Sequence, residues 1–147
     1  MKKKGFTLLE MVLVLLIITA IILIAGRYFQ QASEASKVTE ATTKIKRIIE
    51  ASYEWEKVEH TFNNLDITDL TNTNLLSAND IEGPWSGTFL LAGEARNGVF
   101  IKINITIPNV PKTACFALKD SLERQNIDTA NFSCTSTRDQ KAAYPKE

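Results

Sequence analysis

Lys2-Lys3-Lys4-Gly5-Phe6-Thr7-Leu8-Leu9-Glu10, followed by an almost uninterrupted apolar run over residues 11–26, is the stretch that decides the fold. A short basic segment stops at a glycine, a bulky apolar residue comes next, and one carboxylate follows at the edge of a segment that otherwise belongs in lipid. Residues 6–25 are 20 in number, which at 1.5 Å per residue span about 30 Å, one hydrocarbon thickness. The positive-inside rule holds the three lysines in the cytoplasm and sends the rest of the chain across. An acidic side chain inside such a segment is costly, so something specific should offset Glu10. Nothing within its own chain is an obvious partner before processing.

Two plainer readings compete. A cleaved secretory signal shows small residues after the apolar stretch, and the one candidate, Ile24-Ala25-Gly26, matches that pattern poorly. A plain single-pass anchor explains the apolar run but leaves Glu10 unexplained. The segment Gly5-Phe6-Thr7-Leu8-Leu9-Glu10 resembles the processing site of type IV prepilins and the related type II secretion pseudopilins. The resemblance implies that a membrane peptidase cuts between Gly5 and Phe6 and methylates the new amine of Phe6. It also implies that Glu10 pairs with the N-terminal ammonium of a neighbouring subunit in a filament. Many members carry a proline in the spine helix where this sequence has Arg27, preceded by Gly26. Glycine costs about 1 kcal/mol in a helix against about 3 for proline, so any local loosening should be smaller or centred on Gly26.

At 147 residues the chain allows one anchor and one modest globular domain. The full sequence has 17 basic and 17 acidic side chains, and removing residues 1–5 takes three lysines, leaving a formal charge of −3. A mildly acidic protein has no global pull towards nucleic acid or anionic lipid. The two cysteines, Cys115 and Cys134, lie in the exported part, where two thiols most simply pair, with free buried thiols as the alternative. A disulfide closing about 20 residues stabilises by about 3 kcal/mol in the chain-entropy model.

No proline interrupts the chain before Pro84. Ala32, Ala35, Val38, Ala41, Ile45, Ile48, Ser52 and Trp55 recur at three- and four-residue steps, an amphipathic stripe. Glu40 and Lys44 form an i,i+4 pair in the favourable order. The spacing predicts one helix over residues 6–60, ended by Asn63-Asn64. Residues 61–87 read as an ordered connection with a helical turn near Ile67 and Leu70, closed by the turn cluster Glu82-Gly83-Pro84-Trp85-Ser86-Gly87. A strand over residues 88–92 follows, then a hairpin signal at Asn97-Gly98. Val99, Ile101, Ile103, Ile105 and Ile107 alternate with Phe100, Lys102, Asn104 and Thr106, a strand with one buried face. The β-branched side should face the helix stripe. Pro108 and Pro111 end it. Ala114, Cys115, Leu118 and Leu122 lie at helical spacing within residues 112–125. A last strand is expected over residues 130–135, and a frayed polar tail over residues 136–147.

The expected fold is therefore α+β: a long N-terminal spine helix, transmembrane in its first half and amphipathic in its second, packed on an antiparallel sheet with a C-terminal disulfide-closed loop. The segments are a leader (1–5), a transmembrane or filament-core helix (6–26) and an exported headgroup (27–147). The headgroup subdivides into helix 27–60, connection 61–87, and sheet and disulfide region 88–135. This order resembles a type IV pilin subunit. Residues 83–134 loosely resemble type IVb pilins, whereas the short leader resembles the type IVa group.

No nucleotide loop, metal-ligand spacing or nucleophile with an evident base is present, so neither catalysis, a metal nor a cofactor is expected. His60 reads as a helix-end residue, and Trp55 and Trp85 as core or interface. Lys44, Lys46 and Arg47 read as a solvated helix face, with contact to DNA as the alternative. The resemblance implies a major or minor pilin as the function, with a type II secretion pseudopilin as the alternative. Major pseudopilins of that family tend to bind calcium and to lack a C-terminal disulfide, so the two cysteines favour the pilus. Implied partners are the chain itself and other pilins in a helical filament, the prepilin peptidase, the inner-membrane assembly machinery and the membrane. The implied locations are the inner membrane before assembly and the extracellular pilus after it. Adhesion, twitching, aggregation or DNA uptake would follow from surface loops. A membrane-anchored ligand-binding protein would need a convergent polar cluster, which the sequence does not offer.

Overall fold

The computed structural model describes residues 7–62, 65–96, 99–130 and 140–144. The chain divides into two units, Met1–Glu34 and Ala35–Glu147. Helix α1, Leu8–Glu59, runs unbroken for 52 residues. Its polar side chains are compatible with that length because hydroxyls turn back onto carbonyls four residues earlier. Thr19 donates to Leu15, Thr39 to Ala35 at 3.1 Å, Thr43 to Thr39 at 2.9 Å and Ser52 to Ile48 at 2.7 Å.

The helix ends earlier than Asn63-Asn64, which lie outside the described residues. His60 takes the left-handed conformation, φ 57°, and its N–H donates to the Glu56 carbonyl at 2.7 Å. A single bond of this kind from the first residue past the helix satisfies one orphan carbonyl and stops the winding.

In the first unit the apolar side chains from Leu8 to Ile24 are exposed. In the second, α1 buries Val38, Ala41, Thr42, Ile45, Ile48, Ile49, Ala51 and Ser52. The expected stripe is thus real from Val38 to Ser52, with Trp55 half-buried, whereas Ala32 and Ala35 are exposed. Thr42, Ile49 and Ala51 widen it. Buried Thr42 donates to the Val38 carbonyl at 2.8 Å and lies 3.1 Å from the Ser121 hydroxyl, so its polar group is satisfied.

The connection holds two short helices, α2 (Ile67–Asn72) and α3 (Ala78–Ile81). Each starts with a reciprocal capping box, Asp66 with Asp69 and Ser77 with Asp80. Phe62, Leu65, Ile67, Leu70 and Leu76 anchor the segment to the core. The turn cluster closes with the Gly83 N–H on the Gly87 carbonyl at 2.7 Å and delivers the fully buried Phe89.

Strands β1 (Leu90–Arg96) and β2 (Val99–Ile107) pair antiparallel, with Leu91 opposite Ile105 and Arg96 opposite Val99. The expected hairpin turn at Asn97 and Gly98 lies outside the described residues. The first strand starts two residues later than expected and continues to Arg96, with an irregularity between Glu94 and Ala95. Ile103, Ile105 and Ile107 are buried, and Lys102, Asn104 and Thr106 are half-buried. Those isoleucines share one core with the α1 stripe and with Ala114, Cys115, Leu118 and Leu122 of α4 (Lys112–Glu123).

The tail is corrected. Gln140–Tyr144 is a strand, β3, antiparallel to β2, with Ile105 opposite Ala142. The sheet order is β1-β2-β3. A second β2 edge left open would present unpaired N–H and C=O groups, and the tail supplies their partners. Most of the strand expected over residues 130–135 lies outside the described residues.

Candidate functional site

Thr7 stands directly before the first residue of α1, so Glu10 is the third helical position. The Thr7 N–H donates to Glu10 Oε2 at 2.8 Å and the Thr7 hydroxyl donates to the same oxygen at 3.0 Å. In return the Glu10 N–H donates to Thr7 Oγ1 at 3.3 Å. This is a reciprocal N-terminal cap, and it satisfies helix donors that would otherwise have no partner. The sequence offers the Glu10 charge no obvious partner in its own chain before processing; the structure gives its carboxylate two neutral hydrogen-bond donors there, both from Thr7. The signal was present in the sequence, since Thr7-Leu8-Leu9-Glu10 has the S/T-x-x-E spacing of a capping box. Among the described residues, both bonds that the carboxylate accepts go to Oε2. A carboxylate has about four acceptor positions, so Oε1 can receive a cationic donor while the cap stays formed. Gly5 and Phe6 lie outside the described residues.

A family model described as the prokaryotic N-terminal methylation motif matches residues 1–26. The N-terminus is a type IV prepilin-like signal. The motif indicates a type IV pilin-like or pseudopilin protein, and implies processing by a prepilin peptidase and assembly with other pilins. The prepilin-like signal and the long apolar helix together fit anchoring in the inner membrane before assembly: α1 is long and apolar enough to cross a membrane, and its most apolar part is unburied. No curated protein matches the chain.

Behind the prepilin-like signal, α1 continues through Gly26 without a break, and a Cβ at Gly26 would meet no atom within 4 Å. Packing within the chain thus does not require the glycine there. Further along, the basic residues are tied down rather than simply solvated. Lys44 pairs with Glu40 at 2.8 Å and donates to the Glu82 carbonyl at 2.9 Å. Arg47 pairs with Asp80 at 2.6 Å. The Ser77 hydroxyl, at 2.7 Å from Asp80, and the Arg47 guanidinium hold the Asp80 carboxyl below the usual aspartate range. Together these bonds fasten α3 and its exit to α1, and Lys46 is exposed.

Cys115 is fully buried on α4, and Cys134 lies outside the described residues. Trp55 and Trp85 are half-buried against the core, and His60 is the residue that ends α1. Among the described residues no three His, Cys, Asp or Glu side chains are grouped so as to hold a metal ion.

Proposed function

We propose that this chain is a structural subunit, major or minor, of a bacterial type IV pilus, and that its work is mechanical rather than catalytic. The observation that carries the reading is the combination on one helix of a prepilin-like signal, an apolar surface exposed from Leu8 to Ile24, and a distal half that buries one face in a folded headgroup. Lipid covers the exposed surface before assembly, and the helices of neighbouring subunits cover it afterwards.

In this reading the Gly5-Phe6 amide is hydrolysed and one methyl group passes from a methyl donor to the freed Phe6 amine. The methylated amine remains cationic. On docking, Glu10 accepts the ammonium of a neighbouring subunit, and the free Oε1 leaves room for it beside the Thr7 cap. In a water-excluded filament core, removing one member of such a pair strands the other charge, so correct axial register is favoured over displaced docking. Cys115 and Cys134 pair in the exported headgroup and favour a surface filament over a secretion piston.

The test is Glu10→Val. The monomer should insert and be processed as before, because valine is more compatible with lipid. Surface filament yield from an all-mutant strain, at matched membrane subunit level, should collapse. Normal yield removes Glu10 from the docking mechanism. A mature chain absent from sheared surface filaments, in cells whose type II secretion fails without it, would replace the pilus with the pseudopilin reading.

A further inference from the structure

Just beyond the apolar run, α1 carries Arg27, Tyr28 and Phe29 on three consecutive positions. Tyr28 and Phe29 are each 74% exposed, and Arg27 is exposed as well. Successive helical positions are about 100° apart, so the three side chains sweep over half of the helix circumference instead of forming one face. Polar, exposed Gln30 and Gln31 follow. A core stripe would recur at three- and four-residue steps; this cluster is a short band around the helix.

The position of the band along the axis is informative. Tyr28 lies 18 residues beyond Glu10, about 27 Å along a continuous helix. That is close to the roughly 30 Å hydrocarbon thickness of a bilayer. Tyrosine has an apolar ring and a polar tip, and such rings settle at headgroup level. An arginine beside them lays its stem along the acyl boundary and keeps its guanidinium among headgroups. One arginine on the outer side does not offset the three leader lysines, so the orientation set by Lys2, Lys3 and Lys4 stands.

We propose that Arg27, Tyr28 and Phe29 form a girdle that seats in the headgroup–acyl boundary of the outer leaflet and fixes the depth of α1 while the subunit waits for assembly. The inference rests on the membrane-anchored precursor of the preceding section. With the girdle seated, the Thr7–Glu10 cap falls at the opposite boundary, where headgroups and water reach the carboxylate. Glu10 is then hydrated in the waiting subunit. It enters a water-excluded environment only when the subunit moves outward, so the docking charge is not spent on insertion.

The test uses the full chain in phosphatidylcholine–phosphatidylglycerol vesicles, with Trp55→Phe and Trp85→Phe as background. A single tryptophan is placed by Tyr28→Trp, by Phe29→Trp or, near mid-span, by Ile18→Trp. Quenching is compared between lipids spin-labelled near the headgroup and lipids labelled deep in the chain. Probes at 28 and 29 should be quenched more by the shallow label, and the probe at 18 more by the deep one. Stronger deep quenching at 28 and 29 overturns the girdle. So does access of aqueous iodide without lipid quenching. Lipid quenching that emerges only when protein is diluted in the bilayer means that a second copy covers the band, which also overturns it. Each of these leaves the filament reading intact, whereas failure of the chain to float with the vesicles overturns both.

Discussion

Gly87→Ala probes the turn that delivers Phe89 to the core. Gly87 has φ +105°, a conformation that side-chain-bearing residues rarely adopt. A Cβ there would sit 2.9 Å from Pro108 Cγ and 3.0 Å from Pro108 Cβ. The backbone contribution is about 1–2 kcal/mol, and forcing a methyl against a rigid ring costs about 1–3 kcal/mol more. The expected loss is therefore about 3 kcal/mol, which for a headgroup of this size lowers Tm by on the order of 10 °C. The assay is thermal unfolding of the full chain in detergent, read by the fluorescence of Trp85, which is half-buried in the same turn. Pro108→Ala removes Cγ, so in a double-mutant cycle it should recover part of the steric share and none of the backbone share. Gly26→Ala is the control: with open space around its Cβ, it should leave the headgroup transition unmoved. A Gly87→Ala protein that melts within about 2 °C of the parent, far less than the expected shift, would refute the reasoning, because neither the φ penalty nor the clash would then be present.

Three further outcomes are expected. Intact-mass analysis of filament protein should show loss of residues 1–5 and one added methyl on Phe6; a mature chain that still begins at Met1 contradicts the processing proposal. Cys134→Ala should leave the membrane precursor in place but cost the headgroup about 3 kcal/mol, and labelling of both thiols in native filaments under non-reducing conditions would rule out the Cys115–Cys134 pair. Because the Asp80 carboxyl is held below its ordinary 3.8, its share of stability is present above that value and is lost as pH falls through the lower folded value. Arg47 is largely exposed, so that share is about 1 kcal/mol or less; urea titrations from pH 6 to pH 3 should show it, and Asp80→Asn should remove the difference.

The parts of the fold legible in the sequence are those governed by local period. The three- and four-residue spacing from Val38 to Ser52, the alternation from Lys102 to Ile107 and the spacing of Ala114, Cys115, Leu118 and Leu122 each repeat within one element, and each appears in the burial of its side chains. The cap at Thr7-Leu8-Leu9-Glu10 was equally legible, because capping is a matter of residues three apart. Reading Glu10 as a charge in search of an ammonium hid its nearest hydrogen-bond partner. The same spacing in Asp66/Asp69 and Ser77/Asp80 marks the starts of α2 and α3.

What the sequence by itself determined is the N-terminal signal, the apolar helix and the faces of the main elements, since these follow from residue type at fixed short separations. Only the tertiary structure decided how those faces are used. Along α1 burial starts only at Val38, leaving Ala32 and Ala35 exposed although they belong to the same three- and four-residue spacing, because what packs against the helix sets where its face is covered. Gln140–Tyr144 became a strand although Lys141, Ala142 and Ala143 favour strands little, because β2 had an edge whose hydrogen bonds needed partners. Arg47 found Asp80, 33 residues away, by the same logic: pairing between distant segments is chosen by the whole assembled fold, and no local pattern encodes it.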